Sequence, residues 1–362
     1  MTGLDPAFWL DQSPFAMPAG AKAAALTHAM DALTRWHRQH CPAYARILDV
    51  ATDADRPIAT LADVPFIPVR LFKEMDLRSV PEEQVFKTMT SSGTSGQQVS
   101  KIFLDRETAA LQTKILSRLM GEVIGRKRLP MLVIDSASVL KDRNAFSARG
   151  AGILGFSMFG QNVTYALDAE MNLDLPAIDA FLERHAGQPV FLFGFTFMIW
   201  QHFYKPLQAL GRRLTIDQGV LLHGGGWKKL QDEAVSSRDF HAALRERAGI
   251  DRVVNYYGMV EQTGSIFLEC DRGFLHAPAY AEVIIRDVAD FSALPPGQTG
   301  LVEVLSMIPR SYPGHALLTE DLGRIEGLDG CACGRRGTHF TIAGRVAKAE
   351  VRGCSDTYEP AA

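Results

Sequence analysis

The sequence predicts an α/β fold with a partly parallel sheet, followed by a small β-rich subdomain. Short apolar runs that read as buried strands recur between about residues 129 and 256. Helical stretches separate them, and strands alternating with helices are the pattern of a parallel sheet. Past about residue 264 the texture changes to shorter apolar runs broken by Gly and Pro.

The elements follow in order. Ala23, Leu26, Met30, Leu33 and Trp36 lie at helical spacing, which predicts an amphipathic helix over about 20–40. The Pro-punctuated run Val64–Val69 reads as extended chain. Lys101–Leu104 reads as a strand, and Asp105 can cap a helix through Leu111, Ile115 and Leu119. Buried-strand candidates are Leu129–Asp135, Val190–Phe193, Val220–His223 and Arg252–Tyr256. The helical segments Leu175–Arg184, Met198–Leu210 and Lys228–Ala248 separate them. The β-rich part carries Ile266–Leu268, Ala281–Ile285 and Gly300–Leu305. These textures divide the chain into an N-terminal helical and extended segment (1–85), an α/β subdomain (86–264), a β-rich subdomain (265–350) and a short tail (351–362).

Bulk properties narrow the function class. A chain of 362 residues exceeds the ~250–300 at which a single core stops growing. Apolar content of 47% and charged content of 22% are those of a soluble globular protein. A net charge of −3 gives no electrostatic footprint for nucleic acid. No apolar run reaches the ~18 residues of a membrane helix. The start Met1-Thr2-Gly3-Leu4-Asp5 has neither a basic region nor an apolar signal core, so a cytoplasmic location is expected. Five cysteines, an odd number, do not make a disulfide framework.

Four loops carry the chemistry. Thr90-Ser91-Ser92-Gly93-Thr94-Ser95-Gly96-Gln97, followed by Lys101, combines hydroxyls, glycines and a cation, the donors that surround phosphate oxygens. It lacks the Gly-Lys-Ser/Thr of a Walker loop, and a solvated linker would look alike. His223-Gly224-Gly225-Gly226-Trp227 ends a strand with a turn on which a flat ring can pack, or is a plain strand-to-helix turn. Tyr256-Tyr257-Gly258-Met259-Val260-Glu261 delivers a carboxylate suited to magnesium, or to helix capping. Thr319-Glu320-Asp321-Leu322-Gly323-Arg324 reads as an Asp turn, and an Asp there can also accept from a ribose diol.

In this order, and with Gly344-Arg345 behind them, the loops resemble the adenylate-forming superfamily of acyl and aryl ligases over about residues 88–354. Within it the chain looks most like the acyl-protein synthetases of bacterial luminescence, the LuxE family, to which Ser100-Lys101-Ile102, Leu192–Phe197 and Val351–Ser355 are also similar. The phenylacetate–CoA ligases share the same motifs. The resemblance implies a large-domain fold of layered mixed sheets and helices. It implies ATP and magnesium as cofactors and a fatty acid as substrate. Ser91, Ser92, Gly93, Thr94, Ser95, Gly96 and Lys101 would hold the β- and γ-phosphates. Gly225, Gly226 and Trp227 would line the adenine, and Tyr257 and Gly258 would border the nucleotide and the reacting carboxyl. Glu261 would bind magnesium, and Asp321 the ribose, assisted by Arg345.

Cys354, in Arg352-Gly353-Cys354-Ser355, matches the C-terminal cysteine that receives the acyl group in that family; without the match it reads as an incidental surface cysteine. The family implies an acyl-CoA-reductase-type partner and an acyl-transferase subunit. The lid of ~100 residues that ordinary adenylating ligases carry, the size of a small domain, is absent or vestigial in this reading. The lid lysine is then replaced by Lys101 and Arg345 or by a partner. Val346-Ala347-Lys348 stands where many adenylating enzymes have acidic hinge residues.

The aromatic stretch Phe191–Trp200 is the candidate acyl pocket, with Phe195, Phe197, Trp200 and the adjacent His223 assigned to the substrate. Cys270, His276, Cys331 and Cys333 form a candidate four-ligand zinc set, structural in role, against the alternative of reduced, unligated thiols. Two other functions compete: a CoA-dependent acyl or aryl ligase, and a catalytically silent nucleotide-binding subunit.

Overall fold

The structure is a computed structural model that describes residues 5–51, 57–91, 99–140, 148–227 and 233–346. Its contacts fall into two units. Among the described residues the first comprises 5–91, 99–119 and 258–346, and the second 120–257.

The second unit is built on five parallel strands. Their spatial order is Gly160–Leu167, Leu129–Ser136, Val190–Phe195, Gly219–Gly224 and Arg252–Tyr257. Val190–Phe195 is buried at every position, as expected of a strand covered on both faces. On one face Leu132, Leu192 and Leu221 pack with Ile178, Ile199, Phe203, Phe240 and Leu244 from three helical segments. Phe193 instead meets Phe156 of the helix Ala148–Ser157, with ring centroids 4.6 Å apart. The helices begin where their caps are. Asp174 accepts from Ala177 N ahead of Leu175–Arg184, and Ser236 from Asp239 N ahead of Ser237–Ala248. Gly249, at φ +68°, ends the latter. The helix expected from Lys228 therefore starts at Ser237, and residues 228–232 lie outside the described residues.

Two further differences have local causes. The stretch expected as one helix over 198–210 is a π-helix over Ile199–Tyr204 between short α segments. Pro206 has no N–H for the carbonyl one turn back, so the helix changes register around it. Gly160–Leu167 was not read as a strand. It sits at the end of the parallel order, with Gln161, Asn162 and Val163 exposed, and so has no apolar run.

The first unit is mostly antiparallel. Its strands run Ala281–Arg286, Thr299–Ser306, Ala316–Leu328, Thr338–Arg345, Leu275–His276 and Phe267–Glu269. Ile67–Pro68 joins Ala316–Leu328 in parallel, and Lys87–Thr90 pairs separately with Lys101–Leu104. Asp321 lies inside the 13-residue strand Ala316–Leu328, not in the turn expected for it. Register shifts at Leu322/Gly323 and Ile325/Gly327 bend that strand, which explains its Gly-punctuated, turn-like sequence. The helix Ala19–His40 buries Leu26, Met30 and Leu33 as expected. Asp105 caps Arg106–Ile124 by accepting from Thr108 N at 2.7 Å. No helix among the described residues is long and apolar enough to cross a membrane.

His37 of the Ala19–His40 helix stacks on His315, with centroids 4.9 Å apart, and both rings are fully buried. Burial, and then the neighbouring His315, hold the His37 ring well below the usual imidazole range; burial pushes His315 down to about 3. Both rings therefore bind a proton less readily folded than unfolded. The stability this confers is complete above pH ~6.5 and is lost as pH falls from there toward the folded values, at about 1.4 kcal/mol per pH unit and ring. Replacing His315→Gln is expected to shrink the loss of unfolding free energy between pH 6.5 and 5 by about 2 kcal/mol. Denaturant titrations at the two pH values measure it, and an unchanged loss would assign the acid sensitivity to other groups.

Candidate active site and metal centre

In the first unit the site is organised around Glu261, on the 3-10 turn Val260–Gln262. The Tyr312 hydroxyl donates to the Glu261 carbonyl at 2.8 Å, and Gln262 Nε2 donates to Gly314 O and Val304 O at 2.8 and 3.1 Å. A Cβ on Gly314 would lie 2.9 Å from the Glu261 carbonyl and 2.3 Å from the Tyr312 ring, so only glycine fits there. The carboxyl is buried. Burial pushes its pKa up against the opposing pull of the Ser100 hydroxyl, its own backbone N–H, Lys73 and Arg345. Phe72, beside Lys73, meets Tyr312 edge-on at 6.0 Å. A single carboxylate in this setting fits magnesium, which is held by one or two carboxylates together with substrate phosphates.

Asp321 and Arg345 are directly opposite across two strands, and Arg345 Nε donates to Asp321 Oδ1 at 3.0 Å. The structure thus brings together the pair expected at the ribose. Lys101 is half exposed and pairs with Asp76 at 3.2 Å. Ser91 closes the neck of its loop: its Oγ accepts from Ser100 N at 2.9 Å, and its N–H donates to Ser100 O. Ser92, Gly93, Thr94, Ser95 and Gly96 lie outside the described residues, as does Cys354. Gly258 is closely packed: a Cβ there would sit 3.0 Å from Ile266 Cγ2.

In the second unit the Val190–Phe195 and Gly219–Gly224 strands end side by side. His223 is buried, and its Nδ1 lies 2.9 Å from Thr196 Oγ1, which also reaches Gly225 O at 2.8 Å. A Cβ on Gly224 would fall 2.5 Å from the Tyr256 ring, and Gly225 has φ +79°; Gly226 is exposed with open space around it. Trp227 is half-buried, edge-on to Trp200 at 5.4 Å. Tyr257 ends its strand. The residues assigned to the acyl chain pack separately. Phe195 lies against Gly152 and Phe193, whereas Trp200 stacks on Tyr204 and Phe240; Phe197 is half-buried. Near the strand ends Arg149 Nε pairs with Asp135 at 3.2 Å, and burial pushes Asp135 up to about 6 despite that cation.

The third cluster is Cys270, His276, Cys331 and Cys333, whose ligand atoms all lie within 4.8 Å of one another. A tetrahedral zinc with Zn–S ~2.3 Å and Zn–N ~2.0–2.1 Å has S···S edges of ~3.8 Å and S···N edges of ~3.5 Å. Cys270 and Cys331 Sγ are 3.9 Å apart, and Cys333 Sγ and His276 Nε2 are 3.4 Å apart. Arg335 N–H donates to Cys333 Sγ at 3.4 Å. The donor set and its spacing fit the ion.

Sequence reasoning gave no role to Lys73, Ser100, Tyr312, Thr196, Asp135 or Arg149. Ser100 and Thr196 stand in segments that resemble the family's, but no role was drawn for either; the other four stand in no motif. The one available signal was position: Thr196 and Asp135 sit at the carboxyl ends of apolar strands, where parallel sheets place their ligands.

The fold is that of the adenylate-forming ligases. The chain is similar to 2-hydroxyisobutyryl-CoA ligase solved in an open conformation with 2-HIB-AMP and CoA, at TM-score 0.69 and 15% identity over 92% of this chain and 77% of that one. The same ligase in its postadenylation state with R3-HIB-AMP gives TM-score 0.69 and 17% identity over 92% and 69%. The chain belongs to the acyl-protein synthetase family, LuxE, which matches residues 5–361. It is accordingly an enzyme, a ligase of the acid–thiol class. It is 25% identical over 313 residues to the long-chain-fatty-acid–luciferin-component ligase of Vibrio harveyi (82% of this chain, 78% of that one). Against the protein of that name from Aliivibrio fischeri it is 22% identical over 282 residues, covering 74% and 70%.

The crowding at Gly224 has a measurable consequence. Gly224→Ala is expected to lower unfolding free energy by about 1–3 kcal/mol through overpacking against Tyr256. Gly226→Ala, in open space, is expected to stay within about 0.5 kcal/mol of the parent. Denaturant unfolding of the two variants decides; equal effects would mean that the Tyr256 ring does not constrain the turn.

Proposed function

We propose that the protein activates a long-chain fatty acid with ATP and passes the acyl group, through Cys354, to a partner acyl reductase. The observation that carries this reading is the buried Glu261 carboxylate, within the electrostatic reach of Lys73 and Arg345, in the same unit as the Asp321–Arg345 pair. The fold supports it, as do the names of the two curated relatives.

In the first half-reaction a carboxylate oxygen attacks the α-phosphorus of ATP. The bond to the bridging oxygen breaks, and pyrophosphate leaves with its electron pair. Such transfers depend on positioning and charge neutralisation. The turn 224–227 receives the base, and Tyr257 and Gly258 border the reacting carboxyl. Asp321 accepts from the ribose hydroxyls while Arg345 fixes its direction. Loop 91–96 and Lys101 bind the phosphate chain, and Lys73 adds positive charge beside Glu261. Glu261 would hold magnesium, which would supply charge neutralisation to the phosphates. In the second half-reaction the Cys354 thiolate attacks the acyl carbon, the bond to the AMP oxygen breaks, and AMP leaves. Phe195, Phe197, Trp200 and His223 remain the proposed substrate-side residues; Trp200 and His223 both pack on Phe240, while Phe195 packs on Phe193. Zinc on Cys270, His276, Cys331 and Cys333 is proposed to be structural.

Acid-dependent ATP–pyrophosphate exchange, run over a panel of carboxylic acids, tests the reading. Long-chain acids are expected to support exchange, and exchange with none of the panel would overturn the proposal. Glu261→Gln is expected to lower exchange by about 100-fold or more, and Asp321→Asn to raise KM for ATP by about tenfold. Cys354→Ser is expected to retain exchange and lose labelling of the protein by radioactive fatty acid; persistent labelling would place the acceptor elsewhere.

The metal is tested separately. Elemental analysis is expected to find one zinc per chain, lost in Cys331→Ser. Chelation is expected to lower the unfolding temperature. A zinc-free protein of undiminished stability would leave four plain thiol and imidazole groups.

A further inference from the structure

We propose that Thr196 is a positioning residue for the nucleotide: its hydroxyl clamps the Gly224–Gly225 turn and sets the tautomer of His223. The inference rests on the proposed placement of the base of ATP at that turn.

The topology singles out this place. Along the chain, the strand after Leu129–Ser136 is Gly160–Leu167 on one side, and the next, Val190–Phe195, lies on the other side. The connections leave in opposite directions, and ligands of open parallel sheets bind beyond the carboxyl ends of strands at such a switch point. Thr196 is the first residue past one of those two ends.

The hydrogen bonding then assigns protons. A threonine hydroxyl has one proton to give and lone pairs to receive. Thr196 Oγ1 lies 2.8 Å from Gly225 O, 3.2 Å from Gly224 O and 2.9 Å from His223 Nδ1. Both carbonyls can only accept, so the proton goes to them and the hydroxyl accepts from Nδ1–H. His223 is thereby Nδ1-protonated, and its buried Nε2 is an acceptor without a partner. Burial keeps the ring neutral, holding its pKa down to about 3.

Gly224 is held by strand pairing with Phe195 and Tyr256, but the glycines beyond it offer no side chain to fix the turn. Gly224 has no room for a side chain, Gly225 takes a backbone conformation that side chains avoid, and Gly226 faces open space. A clamp from outside fixes which surface the turn offers to a ring. Without the hydroxyl, the Gly225 carbonyl is free to rotate toward the base or away from it.

Three measurements test this on full-length wild type, Thr196→Val and Thr196→Ser. In ATP–pyrophosphate exchange with saturating fatty acid, Thr196→Val is expected to raise KM for ATP about tenfold and leave kcat within about twofold. Thr196→Ser, which keeps the hydroxyl, is expected within about threefold of wild type in KM. Calorimetric titration with ATP is expected to give the same ranking. In ¹⁵N spectra of the imidazoles, His223 is expected to be Nδ1-protonated in wild type and Thr196→Ser, and to change tautomer in Thr196→Val. A purely structural threonine would lower the unfolding temperature and leave KM for ATP unmoved, which would overturn the proposal. So would an Nε2-protonated His223 in the wild type, a result that needs no variant to fold. Wild type that binds ATP but shows no acid-dependent exchange would sink the proposed reaction, while the calorimetric and ¹⁵N comparisons still judge Thr196.

Discussion

A carboxylate taken out of water must be answered by nearby positive charge or take up a proton, and Glu261 imposes that demand on its unit. Its backbone cannot move aside. Tyr312 holds its carbonyl, Gln262 is tied to two neighbouring carbonyls, and Gly314 packs against it with no space for a side chain. Lys73, Arg345 and the Ser100 hydroxyl favour the charged form, yet burial outweighs them and the pKa rises. On the proposed reading, a divalent cation and phosphates would tip the balance back. A rigid, buried acid short of positive charge is the setting in which functional carboxylates are found.

The turn 329–337 shows a second level of organisation. Asp329 accepts from Ala19 N, at the start of the long N-terminal helix, and from Gly337 N. One turn along that helix Lys22 is buried, paired with Glu282 at 2.9 Å and donating to Ala277 O and Ala281 O. A Cβ on Gly337 would lie 3.1 Å from the Lys22 ammonium. Buried ion pairs add little net stability, but losing one partner costs about 3–5 kcal/mol. The lysine therefore acts as a register pin for helix, strand and turn. Cys331 and Cys333 sit in this same turn, so a metal there fastens a segment already fixed by Asp329 and Lys22.

Much of this was legible in the sequence where chemistry or burial repeats. Four of the five parallel strands are apolar runs and announce themselves. Gly160–Leu167, polar and exposed over its first half, does not. The four sulfur and imidazole groups were readable as a candidate set from residue type and spacing. Their meeting depends on pairing: Leu275–His276 lies between Phe267–Glu269 and Thr338–Arg345, which carries His276 to the turn holding both other cysteines. Lys73 and Tyr312 were invisible for the opposite reason. Each is a common residue made important by a residue distant in sequence, Glu261, and no local pattern encodes that. Thr196 stood in a family-like segment, but its bonds to His223 and Gly225 were not readable there. Asp321 was assigned the right neighbour, Arg345, and the wrong local structure, because a bulged strand and a turn share the same glycines.

That last case bears on how an antiparallel ladder can host a binding group. Side chains on facing positions of such a ladder share a face, so Asp321 and Arg345 meet without any loop to bring them together. Cross-strand ion pairs are worth only about 0.2–1 kcal/mol, and this one is partly solvated, with Asp321 15% and Arg345 40% exposed. A bond that weak does little for stability and costs little to rearrange. It does fix the direction of the carboxylate before any ligand arrives. If Asp321 takes the proposed ribose diol, pre-orientation of that kind would let it dock without first ordering the side chain, and the entropy saved on binding can exceed the small attraction between the two charges.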